Sequence, residues 1–265
     1  MSTTWAAYRR ARRQSRQAWV LLILILAGGL TGIGWFFTNG QFAVGQDPIN
    51  GPTEAPVFDP DWMKPVEAVQ PVPAGSAVDA LEALPVKGRA AKDTYDRNEF
   101  GQAWLDVDRN GCDTRNDILR RDLTAAEFTA GSKCRIASGK LREPYTGQDI
   151  HFRRGSESSS AIQIDHVVAL GDAWQKGAQQ LTAKQRQSLA NDPLNLIAVD
   201  GPANVKKGAG DAASWLPANK GFRCHYVARQ VSVKAAYGLW VTQAEKDAMR
   251  RVLDSCPGQR TIRAM

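Results

Sequence analysis

Ile162-Gln163-Ile164-Asp165-His166-Val167-Val168 begins the stretch that decides the fold, and Asn195-Leu196-Ile197-Ala198-Val199-Asp200-Gly201-Pro202-Ala203-Asn204-Val205-Lys206-Lys207 ends it. Ile and Val dominate the first segment with brief polar interruptions, which predicts a β-strand carrying an adjacent Asp and His. Leu194 to Val199 predicts a second strand. The turn Asp200-Gly201-Pro202 then leads into a polar segment with Asn204, Lys206 and Lys207. Neighbouring strand side chains face opposite ways, so one of Asp165 and His166 can hold a cation while the other faces water.

These residue types suit phosphodiester hydrolysis, which needs an activated water, charge neutralisation and help for the leaving oxygen. His166 is the candidate general base, because a free imidazole accepts a proton near neutral pH. His151 and His225 are the other histidines, and neither adjoins a strong ligand. Asp165 offers an anionic oxygen and Asn204 an amide carbonyl. Two protein oxygens leave room for waters and phosphate, which suits Mg²⁺, with Mn²⁺ as its substitute. One His and no nearby free thiol argue against zinc. Lys206 or Lys207 is expected to contact phosphate. Arg115 reads equally as a phosphate clamp or as the partner of a nearby Asp.

Asp-His at a strand end, an Asn opening the next strand, and an Asn nine residues on before basic residues resemble the HNH (ββα-metal) endonucleases. The phrases DHVVALGDAW and NDPLNLIAVD are similar to those of the family's secreted or membrane-tethered bacterial branch. The resemblance covers Ala90 to Pro257. It implies that Asn195 holds the loop carrying the base and orients the imidazole. Asn204 stands where many members have His, although Asn also occurs there.

The chain has 265 residues and a formal net charge of +7. Residues 1–18 carry Arg9, Arg10, Arg12, Arg13 and Arg16 and no acid, which reads as a cytoplasmic basic tail. Residues 19–38 are uncharged and mostly apolar, about the length of a membrane-spanning anchor. The arginines before it predict an extracellular C-terminal part; the alternative is a signal peptide cleaved on secretion. Residues 39–85 are rich in proline and acid and read as an extended linker. From Gln41 to Pro85 the net charge is −6, so the five N-terminal arginines leave +8 for residues 86–265. A basic folded part suits a polyanionic partner.

Cys112, Cys134, Cys224 and Cys256 lack the C-x-x-C spacing of a zinc site. An even count beyond a membrane segment predicts two disulfides. Of three pairings, sequence order and the family resemblance favour Cys112–Cys134 with Cys224–Cys256.

Helices are expected over Tyr95–Leu105, Ile118–Phe128, Ala169–Leu189, Phe222–Tyr237 and from Thr242 to Cys256. Thr124, Thr182 and Thr242 are the expected caps, and Glu245 would complete a capping box with Thr242. Pro144 to Gly147 reads as a turn, Ile150 to Phe152 as a short strand and Gly155 to Ser160 as a flexible loop. Asp106 to Asp117 matches a Ca²⁺ loop at its first, third, fifth, sixth and twelfth positions, but lacks the usual final Glu and has a cysteine seventh. The other reading is a polar turn tied down by a disulfide, and similar NGCDTRND phrases in the resembling family favour that structural element.

The expectation is therefore an α+β domain at 86–265, with a ββα-metal core among helices pinned by disulfides. Its expected function is a metal-dependent endonuclease acting on nucleic acid outside the membrane, on DNA, with RNA left open. The alternatives are a non-catalytic module binding nucleic acid or an envelope polymer, and a calcium-stabilised structural protein. No protein partner is predicted.

Overall fold

The computed structural model describes residues 70–155 and 160–263. The expected basic tail, membrane anchor and first part of the linker lie outside the described residues, as do residues 156–159. Among the described residues no helix is long and apolar enough to cross a membrane.

Helix α1, Ala77–Ala83, begins at Ser76, whose hydroxyl accepts from the Val78 N–H. It buries Ala77, Ala80 and Leu81 against Tyr226, Val227 and Met249. The linker expected to run to residue 85 therefore ends earlier, because this segment has enough apolar surface to join the core. Tyr95–Leu105 is not a helix. Only Arg97–Phe100 forms a single 3₁₀ turn, ended by Gly101 at φ 71° and followed by Trp104 at φ 59°; neither value is helical.

Helix α2, Thr114–Asp122, starts earlier than expected because the Asp113 carboxylate accepts from the Asn116 N–H. Thr124 then opens strand β1, Thr124–Phe128, instead of capping a second helix. Partners distant in sequence override local propensity here: β1 pairs antiparallel with β2, Ile136–Arg142, which pairs with β3, Asp149–Arg153.

Strand β4, Ile162–His166, pairs with β5, Leu196–Asp200, in a separate two-stranded antiparallel sheet. Between them, the expected helix Ala169–Leu189 is broken into α3, Leu170–Gln175, a 3₁₀ turn at Ala178–Gln180, and α4, Ala183–Asn191. Gly177, at φ 121°, makes the break. Thr182 caps α4 with a complete capping box to Gln185. Helix α5, Gly201–Lys207, follows β5 directly, with Asp200 as N-cap and proline in its first turn.

Helices α6, Arg223–Ala236, and α7, Gln243–Leu253, complete the core. Thr242 accepts from the Glu245 N–H as expected. The Glu245 side chain, however, does not close a box; it turns inward to Lys176 and Lys234. The architecture is mixed α+β.

Two disulfides, Cys112–Cys134 and Cys224–Cys256, pin it in the expected pairing. They span 22 and 32 residues, and loops of that size stabilise by roughly 3–4 kcal/mol each in the chain-entropy model. Replacing both cysteines of either bridge by alanine is expected to lower the unfolding midpoint by roughly 10 °C. Calorimetry at fixed pH checks this, and an unchanged midpoint would refute it.

Candidate functional site

Strand β4 delivers Asp165 and His166 to one end of the two-stranded sheet, opposite Ile197 and Leu196. The ladder continues one step further, with the Val167 N–H donating to the Asn195 carbonyl at 2.8 Å. The Asn195 side chain is fully buried. It accepts from the Val168 N–H at 2.9 Å and donates to the carbonyls of Val168 at 3.3 Å and Leu189 at 3.1 Å. It thereby stitches the bend after His166 to the end of α4.

The Asn195 segment is clamped from outside. Arg229 on α6 donates to the carbonyls of Leu194, Pro193 and Leu196 at 2.6–2.8 Å. Arg121 on α2 donates to Pro193 and Leu196 at 2.8 and 2.7 Å. Burial first, and then the Arg121 charge, bring the Arg229 guanidinium down to about 10, so it is still cationic at neutral pH. Neither arginine stands out in the sequence, because the carbonyls they hold carry no side-chain signal.

His166 is 7% exposed, and its ring Nε2 lies 2.8 Å from the Ala190 carbonyl. A carbonyl can only accept, so Nε2 carries the proton and Nδ1 keeps its lone pair. Burial lowers the imidazole to about 4; the Ala190 carbonyl and Asp165 oppose that shift, while Arg97 and Lys207 reinforce it. His166 is therefore neutral at pH 7.

Asp165 faces the other way. Its Oδ2 accepts from the Tyr145 hydroxyl at 2.5 Å, and its Oδ1 accepts from Lys207 Nζ at 3.0 Å. Lys207 also donates to the His166 carbonyl at 2.8 Å, and its side chain is fully buried. Of the two lysines expected to offer a phosphate contact, Lys206 or Lys207, Lys207 is the internal counter-ion of Asp165, because α5 packs Asn204 and Lys207, one turn apart, toward β4. Lys206 is exposed and lines a different hollow with Tyr145 and Trp215. Arg115 is likewise elsewhere: it donates to the Ile162 carbonyl at 3.4 Å and lies over the Trp104 ring at 5.9 Å.

Asp165, His166 and Asn204 line one cleft of about 280 Å³. Lys92, Tyr95 and Arg97 line it too. The cations Lys92 and Arg97 come from a segment some 70 residues before β4, and nothing in its sequence marks them as functional. A second cleft, of about 350 Å³, also borders His166 and shares Arg97 and Leu170 with the first.

The donors at the first cleft fit a hard cation. Asn204 donates through Nδ2 to Gln163 at 2.9 Å, which orients its amide and leaves Oδ1 as an acceptor. A carboxylate has about four lone-pair sites, so Asp165 keeps capacity beside Tyr145 and Lys207. No thiol is present, since all four cysteines are bridged. Among the described residues no three His, Cys, Asp or Glu side chains assemble as a metal-binding group, so such a cation would keep most of its waters.

The Asp106–Asp117 loop closes on itself. Asp106 accepts from the Gly111 N–H, Asp108 from Asn110, and Asn110 donates to Asp117 at 3.0 Å. The Cys112–Cys134 bridge ties it to the start of β2.

Residues 113–252, which contain the whole β4–β5–α5 unit, match the family model described as GmrSD restriction endonucleases, C-terminal domain. The chain belongs to that family. A protein of Arthroderma benhamiae described as an uncharacterized secreted protein is similar to this GmrSD C-terminal-domain protein, with 36% identity over 195 residues. The match covers 72% of this chain and 91% of the fungal protein. No solved structure matches it. The family is nuclease-related, and its match begins at Asp113, after Lys92, Arg97 and Trp104. The GmrSD-type region therefore supplies the Asp-His-Asn set, while the residues preceding it supply the cationic wall of the cleft.

Proposed function

We propose that this protein is a metal-dependent endonuclease of HNH type that hydrolyses phosphodiester bonds of nucleic acid outside the membrane. The observation that carries the reading is the His166–Ala190 hydrogen bond. It fixes a neutral imidazole with Nδ1 unprotonated at the edge of two clefts. In this mechanism Nδ1 takes the proton of the attacking water, and Ala190 holds the ring while that proton arrives. Asn195 keeps the bend behind His166 from moving, so the ring meets the water in one orientation.

Asp165 and Asn204 would hold Mg²⁺, with Mn²⁺ as a substitute, and the cation when bound supplies positive charge to the phosphate oxygens. Lys92 and Arg97 draw the phosphate into the same cleft and neutralise part of its charge. Lys207 holds the Asp165 carboxylate in place through its contact to Oδ1. The substrate is nucleic acid, and extracellular placement is supported by the secreted fungal relative and by the apolar run at 19–38.

One observation favours a second reading, a binding module that does not cut: Lys207 already balances the charge of Asp165. Incubation of the purified protein with plasmid separates the two. The expected outcome is nicking with Mg²⁺, loss in EDTA, and recovery when excess Mg²⁺ is restored. Plasmid that is retarded on a gel but never nicked, with Mg²⁺ or Mn²⁺, would support the binding module instead.

A further inference from the structure

The second cleft shares His166, Ala190 and Arg97 with the hydrolytic centre, and its remaining lining plays no part in the hydrolysis described above. Its walls are mostly apolar: Phe100 and Leu170 are 2% and 4% exposed, and Trp104 stands beside them. Trp104 is held at φ 59°, a backbone conformation uncommon for a bulky residue. Its carbonyl accepts from the Thr114 N–H at 3.3 Å, and the Arg115 guanidinium lies 5.9 Å from its ring centre. The surrounding structure therefore fixes the indole at the wall of the cleft. Asn98 and Gln102 stand on the same wall, and each amide offers both a donor and an acceptor.

Two clefts that meet at His166, one lined by Lys92, Arg97 and Asn204 and the other by Phe100 and Trp104, have the layout of a nucleotide, with phosphate beside a flat base. The volume, about 350 Å³, lies in the range of small-ligand pockets. Arg97 borders both clefts, so a chain whose phosphate sits at Arg97 and His166 places its neighbouring base over Phe100, Leu170 and Trp104. The +8 charge of residues 86–265 suits the same ligand.

We infer that this cleft receives the base flanking the scissile phosphate, with Trp104 as the stacking surface. The inference rests on the reading of His166 as the hydrolytic centre. It also names the substrate form. A base in a continuous duplex is stacked and paired, so it reaches the cleft only from a single strand or after flipping out at an energetic cost. The protein therefore prefers single-stranded or locally unpaired nucleic acid. Asn98 and Gln102 present amides that adapt to any base edge, which gives weak sequence preference.

Binding to the full-length protein in EDTA tests this without cutting. The probes are a short fluorescent single strand, the same phosphodiester chain with its bases replaced by abasic residues, and a hairpin duplex. Base stacking on an aromatic side chain predicts about 10–100-fold tighter binding of the base-bearing strand than of the abasic strand. Trp104→Ala should bring that ratio close to one, and Trp104→Phe should restore most of it. Equal affinities for the two strands in the wild type, or a ratio that Trp104→Ala leaves intact, overturns the inference. If the protein nicks plasmid yet shows no base dependence, the stacking site alone fails. If it neither binds strands nor nicks plasmid, the hydrolytic reading fails with it.

Discussion

His166→Gln should lower Mg²⁺-dependent plasmid nicking by about 10²–10⁴-fold, the range of a lost general base. Glutamine is the informative replacement. Its amide can still donate toward Ala190 but offers no basic nitrogen. Alanine would also leave the buried Ala190 carbonyl without its partner, which costs stability in its own right. Circular dichroism and the melting midpoint should match the wild type, while initial nicking rates separate the variants. Asn195→Ala should reduce the rate as well, but through the bend at Val167 and Val168, so its loss should come with a lower midpoint. A folded His166→Gln protein that nicks at the wild-type rate would remove this histidine from the chemistry and leave the binding-module reading standing.

Lys176→Met should destabilise the protein by roughly 3–5 kcal/mol, the cost of breaking a buried ion pair from one side. The Lys176 side chain is fully buried, and its Nζ lies 2.6 Å from Asp172, 2.8 Å from Asp211 and 2.7 Å from Glu245. Lys234 reaches Asp172 and Glu245 at 3.5 and 3.1 Å, and Arg89 reaches Asp211 at 2.5 Å. Three cations thus balance three carboxylates. Methionine fills the space but leaves one negative charge uncompensated in the interior. For a domain of this size the expected drop in midpoint is roughly 10–15 °C.

The same network predicts an acid limb. Burial alone would push the Asp211 carboxyl up, but hydrogen bonding and charge from Lys176 bring it down to about 2 from 3.8. Because its folded value is depressed, its stabilising contribution of about 2 kcal/mol is fully present above pH 3.8 and is lost as pH falls through 2. Urea titrations between pH 5 and 2 read this as a slope, which should flatten in Asp211→Asn. A Lys176→Met midpoint within about 2 °C of the wild type would show that the buried charges are not held as a unit.

Local patterning alone made several elements legible. The run Ile162–His166, the run beginning near Asn195, the Thr182 and Thr242 caps and the α6 segment are written in residues whose propensities act within a few positions of themselves. The adjacency of Asp165 and His166 and the spacing of Asn195 and Asn204 are properties of the linear chain, so the sequence displays them directly. The pairing of the cysteines also followed their order.

Tertiary contacts decided the rest. Thr124–Phe128 pairs as a strand because Ile136–Arg142 lies beside it. Residues 77–83 belong to the core because Tyr226, Val227 and Met249 offer an apolar face to cover. Lys207 reads locally as a phosphate contact, yet the register of α5 against β4 buries it on Asp165. Asp172, within the phrase DHVVALGDAW, serves the Lys176 network instead of the cleft. The Ala190 carbonyl that sets the His166 tautomer is 24 residues away, and Arg97 and Trp104 come from a segment that local patterning assigns to a helix. Side-chain identity and spacing determine which groups are available. Which of them share a cleft, and which spend their charge on one another in the interior, depends on long-range packing that no local pattern encodes.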